Sequence, residues 1–387
     1  MEIYFDNSAT TVCTPQVCKA VTDTMTGNYG NPSSVHRKGL EAEKTIREAK
    51  ETIARTLRCD AKEIYLTSGG TESDNWALIG SAYANRRKGN HLITTAVEHA
   101  AIRSSMQFLE DQGFRVTTLP VDRFGRISPE DLRNALDRDT ILVSVMYVNN
   151  EVGTIEPVEE CAQIVKAFDP SVIFHTDAVQ AYGKVLLRPA KTGIDLLSVS
   201  GHKLHGPKGT GFLYIREKTK IHPYIYGGGQ QRGMRSGTDN VPGAAGLAAA
   251  CKSADADLEK NRAHMRSLQK LLTSGLEKME QVVIHTPVQD EDQCAPHIVN
   301  ASFIGVRSEV LLHALEEEGI YVSAGSACSS NKRLPVSPVL EKMGLPREEA
   351  ESALRFSFSE LNTTQEVEIC LETLEKLVPM LRRYSRR

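Results

Sequence analysis

Seven short apolar runs, spaced by amphipathic stretches, restrict what this chain can fold into. They are Glu63–Leu66, His91–Thr95, Arg115–Leu119, Thr140–Tyr147, Val172–His175, Leu196–Ser200 and Gly211–Ile215. Runs of this length read as strands, and most intervals between them hold a helical crossover. Such alternation predicts an α/β protein with a mostly parallel seven-stranded sheet covered by helices. Ahead of the runs, Ser34–Leu57 carries helical spacing, with Leu40, Ile46, Ile53 and Leu57 among many charges. Behind them, the small-residue stretch Pro242–Cys251 leads into a long helical pattern from about Ala254 to Met279. The domain boundary is expected there. A large domain over 15–253 and a smaller α+β domain made of 1–14 and 254–387 are expected, since 387 residues suffice for two cores.

The ends of the predicted strands carry the chemistry. Leu196–Ser200 runs into Gly201-His202-Lys203 and then the glycine-rich Gly206–Gly211. A lysine on a loop just past a strand can reach a cofactor aldehyde. Earlier in the chain, Val172–His175 leads to Asp177, a carboxylate able to keep a pyridine nitrogen protonated. Lysine for a Schiff base and aspartate for the ring nitrogen make a mechanistic pair, and it points to pyridoxal 5'-phosphate.

Several other segments make sense around the same group. Thr67–Asn75 follows a strand and opens a helix, and its Gly70 and Thr71 suit a phosphate at a helix N-terminus. A plain cap with Thr71 as the N-cap residue is the other reading. His99, just past His91–Thr95, either stacks on a planar ring and carries protons or caps a helix. Asn150, after the fourth run, either bonds a ring hydroxyl or belongs to an Asn/Gly turn. Gln180 lies three residues beyond Asp177, on the same side of a helical first turn. Ser200 and His202 bracket a strand end and can both reach a phosphate. The segment Gly227–Thr238 is glycine-rich and doubly basic; it presents donors to an anion or forms a surface loop, and it lacks P-loop spacing.

The thiols are scattered. Eight cysteines stand at 13, 18, 59, 161, 251, 294, 328 and 370, with no CxxC pair, so no zinc or other metal site is expected. Cys328 differs from the rest by its setting in Ser323–Ser330, a run with almost no bulk. It is expected to be mobile, accessible and reactive. Cys13 and Cys18 flank an N-terminal loop without an assigned role. Arg355 lies on the alternating run Ser352–Ser359, rigidly placed for a bidentate carboxylate contact or for a structural ion pair.

Composition excludes other classes. The balance of 46 basic and 49 acidic side chains offers no surface for nucleic acid or membrane. No stretch has the roughly 18 uninterrupted apolar residues of a membrane span, and nothing at the start resembles a signal peptide. A cytoplasmic location is expected. The basic end Arg382–Arg387 reads as solvated or as a docking patch for an acidic partner.

Taken together, the motifs resemble the cysteine desulfurases of the NifS/IscS type, within the class V aminotransferase-like, fold-type I pyridoxal-phosphate enzymes. The likeness runs from Tyr4–Thr11 and Tyr29–Ser34 through Thr67–Ser73, Asn149–Glu151, His175–Gln180 and Ser200–Lys203. It continues through Arg232–Thr238 to the cysteine segment and Arg355. The chain departs from that pattern at Val12-Cys13, where the family usually has a proline after the two threonines.

The resemblance implies Lys203 as the Schiff-base lysine, His99 as the stacked proton carrier and Asp177 as the partner of the pyridine nitrogen. It gives Gly70, Thr71, Ser200 and His202 to the phosphate, and Asn150 and Gln180 to the ring oxygen and its surroundings. Thr238 would reach the phosphate of a second subunit, implying a homodimer. Arg355, with Asn150, would hold the substrate L-cysteine, and Cys328 would take its sulfur as a persulfide, leaving L-alanine. The persulfide would pass to an acceptor protein in iron–sulfur assembly or tRNA thiolation. Selenocysteine lyase, another class V aminotransferase, and a persulfide carrier without catalysis are the alternatives.

Overall fold

The computed structural model describes residues 2–324 and 336–385. Cys328 and its neighbours lie outside the described residues. The expected seven-stranded, mostly parallel sheet is present, in the order Ile64–Thr67, Gly211–Ile215, Leu196–Ser200, Ile173–Asp177, Thr140–Ser144, His91–Thr95, Arg115–Leu119. Gly211–Ile215 alone runs against its two neighbours. It follows Leu196–Ser200 through the glycine-rich turn, too short for the crossover a parallel partner requires. The four strands from Thr140 through Ile215 that form the centre are buried at every position. This explains their continuous apolar reading in place of alternation.

Helices cover both faces. One apolar cluster gathers Ile53, Leu57, Val143, Phe174, Leu197, Phe212 and Leu247, and a second gathers Trp76, Leu92, Ile102, Leu142, Ile173, Leu196 and Leu213. Neighbouring strand residues such as Ile173 and Phe174 divide between the two clusters, as the pleat requires. The helix predicted from Ser34 begins at Arg37, because the His36 side chain accepts from Gly39 N and caps it.

A second sheet, wholly antiparallel, has the order Ser323–Ala324, Ala353–Ser357, Ile298–Phe303, Val282–Ile284. The chain from Ile320 to Ala324 forms two short strands. Ile320–Tyr321 pairs in parallel with the N-terminal Ile3–Tyr4, while Ser323–Ala324 turns to Ala353–Ser357. Ile3 and Phe5 are thereby sealed into a core with Leu268, Leu272, Phe303, Phe356, Phe358 and Leu374. The chain then leaves that core along Ser8–Val12 toward the large sheet. Among the described residues no helix is long and apolar enough to cross a membrane.

Candidate active site

The motifs converge because the parallel strands all end on one edge. Thr67, Thr95, Ser144, Asp177 and Ser200 are the last residues of their strands, and each motif occupies the loop that follows. Open α/β sheets bind ligands at this carboxyl edge. Asp177 is 5% exposed; its Oδ1 accepts from Val179 N at 2.9 Å. Burial raises its affinity for a proton, while the nearby His99 and Lys203 work against that shift. His99 caps the helix Ala100–Asp111, its Nδ1 accepting from Ala101 N at 3.2 Å. Both readings of His99 are therefore compatible: the ring caps, and it also lies with Asp177 and Asp74, the three ligand-type atoms all within 4.8 Å of one another. Burial lowers the pKa of His99, with Lys203 and Arg103 adding to the effect and Asp177 opposing it. With Nδ1 accepting, the neutral ring holds its proton at Nε2.

Lys203 sits on the short turn Gly201–Lys203, its Nζ donating to Ser8 O at 2.6 Å and Ala9 O at 2.7 Å. Gln180 is tied to the same segment: its Nε2 donates to Ser8 O at 2.9 Å, and its Oε1 lies 3.3 Å from His297 Nε2. His202 Nδ1 lies 3.2 Å from Thr10 Oγ1. Burial, then Lys203 and Lys208, push His202 down to about 4, so the ring is neutral at pH 7.

The helix start differs from the capping alternative. Gly69, not Thr71, is the N-cap residue, at φ 147°, and no side chain caps the helix. That backbone conformation favours glycine. Gly70 is equally constrained, since a Cβ there would lie 2.8 Å from Val179 Cγ2 and 3.6 Å from Ser200 Cβ. The helix start thus packs close to Ser200 with no capping side chain, an arrangement suited to an anion. Thr71 is exposed there. In the Asn149-Asn150 pair it is Asn149 that builds the turn, its Oδ1 accepting from Glu151 N at 2.9 Å and Val152 N at 3.0 Å. Asn150 is left at the tip, where its carbonyl accepts from Arg355 at 2.9 Å.

Arg355 arrives from the second sheet, 6% exposed, and also donates to Asp6 Oδ1 at 2.8 Å. The ion-pair reading of Arg355 is thus realised, with Asp6 as its partner. Its Nε is buried with no partner among the described residues. Thr238 is exposed and is not brought to the other residues within the chain.

Sequence reasoning missed three contributors. Asp74, one turn into the helix that Gly70 opens, is 1% exposed, and its Oδ1 has no hydrogen-bond partner among the described residues. Burial first, and the adjacent Asp177 second, hold its carboxyl well above the usual range. His175, two residues before Asp177 on the same strand face, spans Ser144 Oγ at 2.9 Å and Ser198 Oγ at 3.0 Å. Its Nε2 is 3.7 Å from Asp74, and burial pushes it down to about 3. Lys184, also buried, donates to the carbonyl of Lys203 at 2.7 Å. The Ser-Asp-Asn portion of the glycine motif was a signal for Asp74; Lys184 and His175 had none beyond their strand and turn positions.

Pyridoxal phosphate fits this donor set. A helix start with no capping side chain, the buried carboxylate of Asp177, the imidazole of His99 and the amine of Lys203 lie on one sheet edge. Asp74, whose Oδ1 has no hydrogen-bond partner among the described residues, brings a carboxylate oxygen within 4.8 Å of the first two side chains.

Known proteins agree with this architecture. The aminotransferase class-V family model matches residues 3–370. Cysteine desulfurase IscS of Methanosarcina thermophila is 45% identical over 383 residues, covering 99% of this chain and 93% of that protein. A solved NifS-like protein superposes with a TM-score of 0.92 at 40% identity, covering 98% of this chain and 100% of the other. A second solved structure, SspA in complex with cysteine, gives a TM-score of 0.79 at 32% identity, over 94% of this chain and 100% of that one. The chain belongs to the class V aminotransferase family and, within it, to the cysteine desulfurases of the NifS/IscS type.

Proposed function

We propose that the chain is a pyridoxal-phosphate-dependent cysteine desulfurase that converts L-cysteine to L-alanine and carries the sulfur on Cys328 as a persulfide. The observation that supports this most is the meeting of buried Asp177 with His99 and Lys203 at the strand ends. When bound, the cofactor supplies an electron sink for cleavage at the substrate's α-carbon. Asp177, already desolvated, keeps the ring nitrogen protonated and holds the ring in place. Gly70, Thr71, Ser200 and His202 take the phosphate. Lys203, released from the carbonyls of Ser8 and Ala9, moves the α-proton. His99 offers its Nε2 proton on the opposite side from the helix it caps. Arg355 turns its unpartnered Nε and its Asp6-bound fork to the substrate carboxylate, with Asn150 beside it. Gln180 steadies Ser8 and with it the lysine's resting position. Cys328, as a thiolate, attacks the substrate sulfur: the S–S bond forms as the substrate's Cβ–S bond breaks. The electron pair of that bond passes to the carbon fragment, which takes up a proton to become alanine, and the sulfur stays on Cys328.

Exposed Tyr29, Val35, Leu40 and Tyr226 suit a subunit interface, and Thr238 is available to a second subunit's phosphate site. We therefore include a homodimer, a cytoplasmic setting and an acceptor protein for the sulfur in the proposal. Borohydride reduction of the holoprotein followed by peptide mapping tests it: the pyridoxyl group should appear on Lys203. An adduct on Lys208, or none, refutes the assignment.

A further inference from the structure

Cys13 and Cys18 have no part in the proposed reaction, yet the fold brings them together at the rim of the site. Thr14 is the N-cap residue of the helix Pro15–Gly27, which makes Cys13 the N′ residue and Cys18 the N4 residue. Side chains at those positions pack on each other across the first turn, as in a hydrophobic staple. Cys18 is exposed and Cys13 half-buried. Burial first, and the adjoining Cys18 sulfur second, push the Cys13 thiol up. By contrast, Cys161, Cys251, Cys294 and Cys370 are buried. Cys13 Sγ also donates to Gly206 O at 3.3 Å. The residues before it lie along the Lys203 loop: Thr11 N donates to His202 O at 2.9 Å, and Val12 O lies 2.7 Å from His205 Nδ1.

We propose that Cys13 and Cys18 are a redox-active pair, closing reversibly into a disulfide by exchange with a low-molecular-weight disulfide such as oxidised glutathione. The exposed Cys18 thiolate attacks one sulfur of the oxidant, forming a mixed disulfide and releasing one thiolate. Cys13 then loses its proton and attacks the Cys18 sulfur, forming the internal bond and expelling the second thiolate. Two protein thiols are oxidised, the oxidant is reduced to two thiols, and the two protons from the cysteines leave with them. A short, partly exposed disulfide of this kind belongs to the labile, regulatory class. A disulfide sulfur carries no hydrogen, so closure removes the Cys13 bond to Gly206. A thiol-redox sensor thus sits on the segment whose carbonyls hold Lys203.

The test equilibrates the full-length holoprotein with glutathione of graded redox poise, then quenches it with acid and N-ethylmaleimide. Both cysteines fall in the tryptic peptide Met1–Lys19, because no Lys or Arg precedes Lys19. Closure appears as that peptide lighter by two hydrogens and free of maleimide. The closed form should become the major one as the pool is oxidised and disappear with dithiothreitol. Cys13→Ser should stop at a glutathione adduct on Cys18. A peptide that stays doubly labelled, that carries only glutathione, or that links Cys13 to another cysteine overturns the proposal. The readout is mass, not alanine, so its failure is distinct from failure of the desulfurase reading.

Discussion

Replacing Asp74 and Asp177 by asparagine should give losses of very different size, although the two carboxyls are neighbours. Their oxygens lie within 4.8 Å of each other, both buried. Two negative charges that close repel each other, and burial adds to the effect by raising the proton affinity of both carboxyls. The pair therefore favours holding a proton on one of its two carboxyls, and the balance of neighbours says which. Asp177 has the Val179 amide and the fields of His99 and Lys203 in its favour. Asp74 has burial and two carboxylates, Asp177 and Glu98, against it, with the Ser198 hydroxyl as its aid. Asp74→Asn thus exchanges one neutral hydrogen-bond donor for another of the same shape. Cofactor affinity should change by less than about threefold, under 1 kcal/mol, and Asp74→Ala should do worse than Asp74→Asn because it empties the site. Asp177→Asn removes the carboxylate proposed to pair with the ring nitrogen and should cost about 1.5–3 kcal/mol, roughly 10- to 150-fold in affinity. Equilibrium titration of the apoprotein with pyridoxal phosphate, followed by absorbance, measures all three. Equal losses in Asp74→Asn and Asp177→Asn would refute this assignment of the charge.

Other outcomes follow from the same structure. Burial pushes Glu156 up to about 8, so the fold favours its protonated form. The stability it contributes is whole below the unfolded carboxylate value and is lost as pH rises through about 8; Glu156→Gln should gain on the wild type across that window by at most about 5 kcal/mol, read from urea unfolding at pH 5 and pH 9. Lys184→Met removes the hydrogen bond that buried Lys184 gives the Lys203 carbonyl and should lower stability by about 1–3 kcal/mol in urea unfolding. Arg355→Ala should raise the Michaelis constant for cysteine at a cost on the order of 2–4 kcal/mol, since single charged hydrogen bonds are worth about 1.5–3 kcal/mol.

Much of this was legible before folding because the signals were local. Strand ends, glycine turns and a lysine or aspartate just beyond them are read along the chain, and His91–Thr95, Arg115–Leu119, Leu196–Ser200 and Gly211–Ile215 have the expected bounds. The regular strand of Thr140–Tyr147 ends at Ser144, although Val145 N still donates to His175 O at 3.1 Å and Tyr147 N to Asp177 O at 2.9 Å. What stayed hidden depends on contacts between distant segments. Nothing local in Asp6 marks it as the partner of Arg355, 349 residues away. Lys184 carries no local signal; only the fold turns it inward to the Lys203 carbonyl. Asp74 was part of a quoted motif, but its role requires knowing that the helix lies over the face shared by His175 and Asp177. The thiol pair was equally hidden, since the contact of Cys13 with Cys18 depends on where the helix starts.

The most direct measurement is a single turnover. Holoprotein mixed with one equivalent of L-cysteine, without reductant, should yield one L-alanine per site, and mass mapping should find one extra sulfur on Cys328. Cys328→Ala should keep its cofactor and form no alanine from cysteine. Alanine formed by Cys328→Ala at the wild-type rate, or sulfur carried on another residue, would contradict the account.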